Sequence, residues 1–421
     1  MVKASALHLV LVITLVITIV LGSLIYLHYF YREQEQKIDR WDALEQDLKA
    51  GTSLALSTYF PYTESGDSLL LSPITLRDSL RIGKKQWGFL DVVTVYSWRG
   101  KDTLRRSFLA GIQPKDSTVL YIVDEDRPLS ISGKTVIQGT AFLPQSGMRP
   151  AFVDGEYYEG IEEMVDGQIK ESNQSLPNYE SDRLNAIQAL YQHTLSENSN
   201  LDLQDIASTR SVRHSFFEAT KYYHLPRAAP LLVDSIAGNL VILADSTVHI
   251  SAQTIWEDAI VIAPHIKLED NFSGNGQFFA LDSLTVGKNV ALGYPSILAL
   301  LAADSLNGPL KVTIGENTRV QGMVLLHRAD VPDQMDLLEL QKNVTVEGEL
   351  ISFGLLKYTD PLTVKGGLYA HRLITQRPSS LYENYLINLN LERSKLHPYY
   401  IAPFFWTTDK PAPQNIVKWL D

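Results

Sequence analysis

The sequence predicts a mainly β protein, in which an N-terminal transmembrane helix is followed by a β-rich region and a parallel β-solenoid with loop insertions. Two observations support this fold class. Residues 4–31 contain no charged side chain, and a six-residue strand pattern recurs between residues 248 and 367. The chain is 45% hydrophobic and 20% charged, so most of it is expected to fold.

The charge and the cysteine count exclude several classes of function. The formal net charge of the 421 residues is −11, which argues against a nucleic-acid partner, because such a protein presents a basic face to phosphates. The chain has no cysteine. Disulfides, thiolate metal sites and a cysteine nucleophile are therefore excluded.

Residues 4–31 are predicted to anchor the chain in the membrane. About 20 apolar residues span the hydrocarbon core, and this stretch is longer. A cleaved signal peptide has a shorter apolar region, whereas here apolar residues continue past Gly22 and Ser23. The outgoing end is aromatic, as in an interfacial belt. Its aromatic residues are Tyr26, Tyr29, Phe30 and Tyr31.

Two signals disagree about the orientation of this anchor. Lys3 precedes it, while Arg32, Lys37 and Arg40 follow it, and a count of basic residues favours a cytoplasmic C-terminal side. The short N-terminal tail and the signs of export described below favour the opposite. We predict a single-pass inner (cytoplasmic) membrane protein, N-in, with its C-terminal domain in the periplasm or outside the cell.

The membrane segment is predicted to continue as an amphipathic helix, so that residues 1–55 form one element. Its apolar residues recur at three- and four-residue steps, and Gly51 is a plausible end. These residues are Ile38, Trp41, Leu44 and Leu48. This arrangement resembles the N-terminal helix of minor type IV pilins and pseudopilins. The Gly-Phe cleavage point and the following Glu of that family are missing, which favours a plain signal anchor.

Six hexads carry the repeat, with an aliphatic first and third residue and a polar second residue. They begin at Val248, Ile266, Leu284, Val312, Val344 and Leu362. Period-2 alternation predicts short strands with one buried face. Recurrence at steps of 18 residues, or 18 plus an insertion, predicts strands stacked in parallel. A β-sandwich, the alternative, would not align its strands at a fixed step.

The sixth position of the hexads is predicted to form a stacked corner. Asn accepts the left-handed conformation, and its side chain can bond to the levels above and below. The residues at this position are Gln253, Asn271, Asn289 and Asn317, with Gly348, Gly366 and Gly367 assigned to the same corners of the last hexads. The pattern resembles bactofilin-like and hexapeptide-type β-helices, and it leaves the handedness open.

The remaining segments complete a four-part division. Residues 56–120 are a β-rich membrane-proximal region, which is either a small sheet on the helix or the first solenoid strands. Residues 121–375 form the solenoid, with a partly helical insertion near 174–208. Residues 376–421, rich in Tyr, Phe and Leu, are assigned as a C-terminal cap, because solenoid ends need a cover.

The sequence contains no pattern that indicates an enzyme. A polysaccharide-cleaving β-helix needs carboxylates gathered on one face, but the hexads offer only Glu269 beside Asp270. His249 and His265 are expected at the surface, and His327 has no partner residues beside it that would support acyl transfer. We therefore predict no catalytic residue, no cofactor and no metal.

Asp-Ser or Asp-Thr followed by an aliphatic residue or Thr occurs eight times. The pattern resembles the O-glycosylation signal of exported Bacteroidota proteins, and it is also an ordinary turn pair before a strand. The acceptors would be Ser68, Ser79, Thr103, Ser117, Ser235, Ser246, Ser283 and Ser305. The chain thus resembles a membrane-anchored β-solenoid protein of Bacteroidota type.

These observations predict a non-enzymatic, membrane-anchored envelope protein that acts as a scaffold or assembly component. The resemblance to minor pilins implies a part in a pilus or secretion apparatus, with other envelope proteins as partners. The alternative is a polysaccharide-binding or polysaccharide-cleaving β-helix protein at the cell envelope.

Overall fold

The computed structural model describes residues 2–63, 69–71, 78–114, 117–195, 203–206, 210–226, 231, 233–302, 308–328, 336–407 and 412–420. Within these residues the chain is mainly β, with a long apolar N-terminal helix. It divides into two compact units. One contains residues 1–55, 67–83 and 94–106, and the other contains residues 56–66, 84–93 and 107–421.

The helices are α1 (Val2–Ala55) and α2 (Ser181–Leu195), and Arg393–Lys395 forms a short 3-10 turn. The first strands are β1 (Leu69–Leu71), β2 (Ser79–Trp87), β3 (Leu90–Arg99), β4 (Asp102–Ile112), β5 (Thr118–Ile122), β6 (Leu129–Ser132), β7 (Val136–Gln138), β8 (Thr140–Leu143), β9 (Met148–Pro150) and β10 (Ile169–Glu171). After α2 follow β11 (Leu203–Asp205), β12 (Ser211–His214), β13 (Lys221–Leu225), β14 (Ser235–Gly238), β15 (Leu240–Ala244), β16 (Thr247–Ile250), β17 (Ile255–Leu268), β18 (Ser273–Val286), β19 (Ala291–Leu301) and β20 (Lys311–Ile314). The last strands are β21 (Arg319–His327), β22 (Leu337–Leu340), β23 (Val344–Thr359), β24 (Leu362–Gln376), β25 (Leu381–Glu383), β26 (Tyr385–Ile387), β27 (Leu389–Glu392) and β28 (Gln414–Trp419).

In the first unit, α1 packs against strand residues through its C-terminal part. Leu44 and Leu48 are buried, as predicted, whereas Ile38 and Trp41 of the same expected stripe are exposed. Gly51 does not end the helix, which continues to Ala55. A Cβ on Gly51 would lie 2.8 Å from Val95 Cγ1, so the glycine is needed for close packing of helix on strand and not as a stop.

The second unit contains a closed arrangement of parallel strands whose aliphatic residues stack in three columns. Within each column, every strand pairs in parallel with the next. Column 1 runs through Val248, Ile266, Leu284, Val312, Leu338, Leu356 and Leu373. Column 2 runs through Trp256, Gly274, Leu292, Val320, Val346, Val364, Leu391 and Ile137. Column 3 runs through Ile242, Val261, Phe278, Leu298, Val324, Leu350, Leu368, Leu120, Ala141 and Ile169.

The alignment of the last two hexads is wrong. The partner of Val312 is Leu338 and not Val344, and Val344 pairs with Leu362 on β23 and β24, next to the residues of column 2. The same aliphatic-polar-aliphatic pattern occurs on the strands of different columns, because each strand buries one face in the same core. The pattern therefore identifies a strand without identifying its column.

The asparagine corner is confirmed. Asn271, Asn289 and Asn317 have φ values of 66°, 55° and 57°. Asn289 Nδ2 donates to Asn271 Oδ1 (3.2 Å), and Asn317 Nδ2 donates to Asn289 Oδ1 (3.2 Å). The ladder continues to Asn343, whose Nδ2 donates to Asn317 Oδ1 at 3.0 Å. The corner therefore repeats at four successive levels of the stack.

The glycines assigned to that corner lie elsewhere. Gly348 and Gly366 are inside β23 and β24, in register with each other and with Gly322. Their φ values are 141° and 151°, and a Cβ on either would overlap a carbonyl oxygen of the preceding glycine. They form a glycine column where neighbouring backbones approach closely, and Asn343 takes the corner position instead.

The stack is assembled from two separate stretches of the chain. Continuation in chain order would place β5 to β8 beside β11, but β5 pairs with β24 and β7 pairs with β27. Residues 118–171 thus extend columns that residues 203–392 begin. Arg393 donates to the carbonyl oxygen of Thr118 at 3.3 Å, where the two stretches meet.

The other predicted segments also have defined places. Helix α2 lies within the range 174–208, where a partly helical insertion was predicted, and its Leu184 and Ile187 are buried. The expected cap at 376–421 is different from the prediction. Strand β27 lies in the stack, paired with β24 and β7, because its Leu391 continues column 2. Strand β26 forms a separate three-stranded sheet with β6 and β9, and β28 pairs antiparallel with β4.

Candidate functional site

The apolar surface of α1 is the largest exposed hydrophobic feature of the described chain. Ala6–Ala55 meets the length and composition expected of a membrane span, with a mean hydropathy of 2.8 in its most apolar window, none of which is buried. Leu11, Ile17 and Ile25 are 61%, 52% and 71% exposed. Since water-facing helices are amphipathic and this one is not, it is a candidate membrane anchor.

A cleft on the second unit is the strongest candidate for binding a ligand. We call it the tyrosine cleft, a cavity of about 470 Å³. It is lined by Tyr294, Arg319, Gln321, Glu347, Lys395, Leu396, His397, Tyr399 and Tyr400. The β19, β21 and β23 residues come from neighbouring strands of the stack, whereas the residues from 395 to 400 come from the tail.

An ion network forms the strand side of the cleft. The Glu347 carboxylate accepts from Arg319 Nη2 (2.8 Å), Gln321 Nε2 (2.6 Å) and Lys365 Nζ (2.7 Å). Partial burial raises the pKa of Glu347, but these hydrogen bonds outweigh it and lower the pKa to about 2. Glu347 is therefore ionised at neutral pH and its oxygens are already bonded, so it is unsuited to proton transfer.

Tyrosines hold the tail against the strands. The Tyr294 hydroxyl donates to the Ile401 carbonyl oxygen (2.9 Å) and accepts from the Ile401 amide (3.1 Å). The rings of Tyr294 and Tyr400 are 5.6 Å apart, and the Tyr400 hydroxyl donates to the Gly322 carbonyl oxygen at 3.3 Å. Because Tyr400 is buried, the tail has a fixed position here.

Tyr399 points its ring away from this buried contact. It is 83% exposed, its amide donates to His397 Nδ1 at 3.3 Å, and the two rings are 5.7 Å apart. A second cavity of about 500 Å³ shares Leu396, His397, Tyr399 and Tyr400 with the cleft. The Tyr399 ring therefore lies at the boundary of two adjoining cavities.

A second ion triad has the same construction. Glu339 accepts from Lys311 Nζ (2.8 Å) and Lys357 Nζ (3.0 Å) on the neighbouring levels of column 1. None of these three residues lines the tyrosine cleft. Both networks show that the stacked strands alone provide ladders of ion pairs. Only at the Glu347 network does the tail add an exposed aromatic ring.

The histidines weighed for catalysis do not form a site. His327 lies on β21, buried between Tyr179 and Phe353 at ring distances of 4.7 Å each, and burial lowers its pKa to about 4. Neither ring nitrogen has a hydrogen-bond partner among the described residues. His265 Nδ1 bonds to the Ser283 hydroxyl at 2.9 Å, and His249 is exposed on β16.

The acidic pair of the hexads stabilises turns. Both Glu269 and Asp270 are exposed. Glu269 accepts from the Ala252 amide at 3.3 Å, and Asp270 accepts from the Lys288 amide at 2.8 Å. In the part of the chain that the structure describes, no group of three or more His, Asp or Glu residues is arranged to hold a metal ion.

The proposed glycan acceptors are scattered over both units. Ser68 and Ser305 lie outside the described residues. Thr103 and Ser117 are exposed, and Ser79, Ser235, Ser246 and Ser283 are half-buried. Ser117 Oγ is 2.7 Å from Thr140 Oγ1, and Oδ1 of Asp245, which precedes Ser246, lies 2.8 Å from His224 Nε2.

No sequence motif indicates the tyrosine cleft directly. Arg319, Gln321 and Glu347 are separated by up to 28 residues and meet only through strand register. The one available signal was the pair Tyr399 and Tyr400 in the aromatic tail, which alternation could have divided into one buried and one exposed ring.

Comparison with known proteins gives no family for this chain. No protein-family model matches it, and no curated protein matches it. The crystal structure of the competence-associated pilin ComZ from Thermus thermophilus aligns over 91% of this chain and 94% of that chain, with 9% identity and a TM-score of 0.26. A likeness at that TM-score carries no weight for fold or function.

Proposed function

We propose that the chain is a non-enzymatic, membrane-anchored protein of the cell envelope that acts as a scaffold or assembly component. The observation that carries the proposal is the surface of α1, which exposes apolar side chains throughout the stretch from Leu7 to Tyr31. Burial begins only at Leu44. A helix of this kind is stable in lipid and costly in water.

We further propose that the parallel stack is a β-solenoid. Two facts support it. Column partners recur at steps of 18 residues, as from Val248 to Ile266 and from Val346 to Val364, and the step from Leu284 to Val312 is longer by 10 residues. A rod of stacked strands presents long side faces, which suits a scaffold.

Anchoring can be tested by introducing charge into the span. Leu15→Arg combined with Ile19→Arg costs about 2.5–3.5 kcal/mol per residue at a bilayer centre, so the variant is expected to leave the membrane pellet on alkaline extraction while the natural chain stays. Ile38→Arg with Trp41→Arg, which adds the same charge beyond the span, is the control and stays with membranes. Extraction of the natural chain would reject the anchor.

The orientation we propose is N-in, with the residues after α1 in the periplasm or outside the cell. A reporter fused after Asp421 is expected to be active only when exported. Activity in the cytoplasm alone would reverse the assignment. The division at residues 55 and 120 also stands as a proposal about the chain's organisation, whereas no separate cap from 376 is proposed, because β27 pairs with β24 and β7 in the stack.

Envelope proteins are the proposed partners, including those of a pilus or secretion apparatus. Crosslinking in intact cells, followed by purification from membranes, is expected to recover the same few proteins with the natural chain, and to lose them when the Leu15→Arg and Ile19→Arg variant is used. Recovery of the chain without reproducible partners would reject an assembly role.

A polysaccharide-binding function is the second candidate, and the tyrosine cleft favours it. The cleaving form has less support, because a glycosidase uses two carboxyl groups. Glu347 is the one carboxylate among the described residues that line the cleft, and three donors already bind it. Binding without cleavage is what this arrangement can perform.

We propose O-glycosylation of a Bacteroidota type as a modification of the exported chain. Thr103 is the acceptor of choice for a test, because it is exposed on β4. Peptide mass spectrometry of protein from its native cells is expected to show a glycan on the peptide that contains Thr103, and Thr103→Ala is expected to remove it. An unmodified peptide would reject this acceptor.

A further inference from the structure

We propose that the tyrosine cleft binds an acidic glycan, a chain of sugars that bear carboxylates. This inference rests on the second candidate function above and specifies its ligand. It combines three features of the cleft, which are an exposed aromatic platform, a local excess of cations, and a shape that continues beyond a single pocket.

Tyr399 supplies the platform. The apolar C–H face of a sugar ring packs on a flat aromatic side chain, while hydroxyls at the ring edge bond to polar groups nearby. Because the Tyr399 side chain is 83% exposed, its apolar area contributes nothing to the stability of the fold. The buried neighbour Tyr400 and the Tyr294 hydroxyl on Ile401 fix the backbone of the platform, so little ordering is needed on binding.

The charge of the cleft selects acidic sugars. Its lining contains Arg319 and Lys395 against the single carboxylate of Glu347, whereas the whole chain carries a net charge of −11. Glu347 is bonded by three donors, and Arg319 is still 55% exposed. Lys395 pairs with Glu392 and remains 61% exposed. A guanidinium matches a carboxylate in planar, two-point hydrogen bonds.

The shape favours a chain over a single sugar. A volume of about 470 Å³ is within the range of ligand sites, and Tyr399 also lines the second cavity of about 500 Å³. A ligand that crosses the Tyr399 ring would occupy both cavities. We therefore expect affinity to rise with the length of the oligomer.

The test measures binding of oligogalacturonate, and of a neutral galactose oligomer of equal length, to the detergent-solubilised full chain. The acidic oligomer is expected to bind and the neutral one to bind at least about 10-fold more weakly. Tyr399→Ala and Arg319→Ala are each expected to weaken binding about 10-fold, as for central anchor residues of a binding site. Equal binding of the two oligomers would overturn the acidic class.

Two variants serve as matched controls. Tyr157→Ala removes a tyrosine that is 69% exposed and lies outside the cleft, and Lys311→Ala opens the second ion triad in the way that Arg319→Ala opens the first. Both are expected to bind like the natural chain. Unchanged binding by Tyr399→Ala, or no binding of the acidic oligomer, would overturn the proposal.

Membrane retention of the same variants separates the two proposals. A chain that stays in membranes but does not bind the acidic oligomer rejects the cleft and leaves the anchor intact. A chain that binds the oligomer but is extracted from membranes at alkaline pH rejects the anchor and leaves the cleft intact.

Discussion

At the scale of single residues, each side chain of the hexad Leu284–Asn289 has a place set by the geometry of a strand and its corner. Leu284 and Val286 are buried and Thr285 is exposed, as alternation requires. Asn289 has a φ of 55°, as its place in the column implied. These properties were predictable because they depend on the residue and its immediate neighbours in the chain.

The asparagine ladder makes the first prediction. Asn317→Ala loses the side-chain hydrogen bonds to two levels of the stack. It also places alanine, whose side chain cannot form hydrogen bonds, at a positive φ. The substitution is therefore expected to lower the free energy of unfolding by about 2 kcal/mol. Asn317→Gly loses the same bonds but accepts the φ of 57°. It is expected to cost roughly 1 kcal/mol less than Ala.

Urea unfolding of the full chain in detergent checks this order. Lys267→Ala, an exposed change on β17, is the control and is expected to alter stability by less than about 0.5 kcal/mol. If the Ala and Gly variants of Asn317 are equally stable, the backbone conformation contributes nothing and the ladder acts through its side chains alone.

Glu347 makes a prediction about pH. Its pKa is lowered from 4.5 to about 2 in the folded chain, so its ion pairs contribute stability above pH 4.5 that is lost as the pH falls towards 2. Glu347→Gln is expected to lower stability by about 1 kcal/mol at pH 7, the upper range for partly exposed pairs. The difference from the natural chain should vanish near pH 2.

Unfolding midpoints between pH 2 and 7 measure the effect. Glu316→Gln removes one partner of an exposed pair with Lys288 and is expected to give a nearly constant, small difference across this range. A difference for Glu347→Gln that persists at pH 2 would mean that the carboxylate charge is not the cause.

At the scale of elements, the sequence predicted strands but not their neighbours. Val344 and Val312 begin hexads of the same form, yet they belong to different columns. All strands bury an identical kind of face, so the register depends on the lengths of the connections between columns. Those connection lengths vary, and they cannot be predicted from the short aliphatic pattern.

Helix α2 is attached to the strands by a buried charge network that the sequence did not indicate. Arg183 Nη2 lies 2.9 Å from Asp91 Oδ1 and donates to the Tyr62 hydroxyl at 2.7 Å. Lys84 Nζ is 3.8 Å from Asp91 Oδ2 and donates to Gln414 Oε1 at 2.7 Å. Asp91 is thus the buried carboxylate between two buried cations.

Asp91→Asn is expected to be strongly destabilising. The amide keeps the size of the side chain but leaves the charges of Arg183 and Lys84 without their counterion, at a cost of about 3–5 kcal/mol. The urea midpoint reports the loss. Asp182→Asn, the same substitution at an exposed position in the first turn of α2, is expected to cost at most about 1 kcal/mol. Equal effects would exclude a special role for the network.

At the scale of the whole chain, the order of the strands could not have been predicted. Residues 118–143 have ordinary strand patterns, and nothing local indicates that they extend columns begun by residues 203–392. The tyrosine cleft was not predictable for a related reason, because it needs the tail residues from Lys395 to Tyr400 beside strand residues that precede them by 48 or more positions.

Leu391→Ala tests the junction of the two stretches. Leu391 is fully buried between Val364 and Ile137, and its truncation is expected to cost about 2–5 kcal/mol. Amide hydrogen exchange should accelerate in β7, about 250 residues away in the chain, since its partner strand β27 is loosened. Val248→Ala, equally buried on β16, should accelerate exchange in β17 and leave β7 and β8 protected.

The same junction fixes a sequence of events during synthesis. Strands β5 and β7 leave the ribosome about 250 residues before β24 and β27, the strands they pair with. At about 5–20 residues per second, that delay is roughly 12–50 s. For this period the nascent chain carries strands with open edges, which are the sites where chains aggregate. The cell must therefore either keep this stretch unfolded or shield it until the last strands arrive.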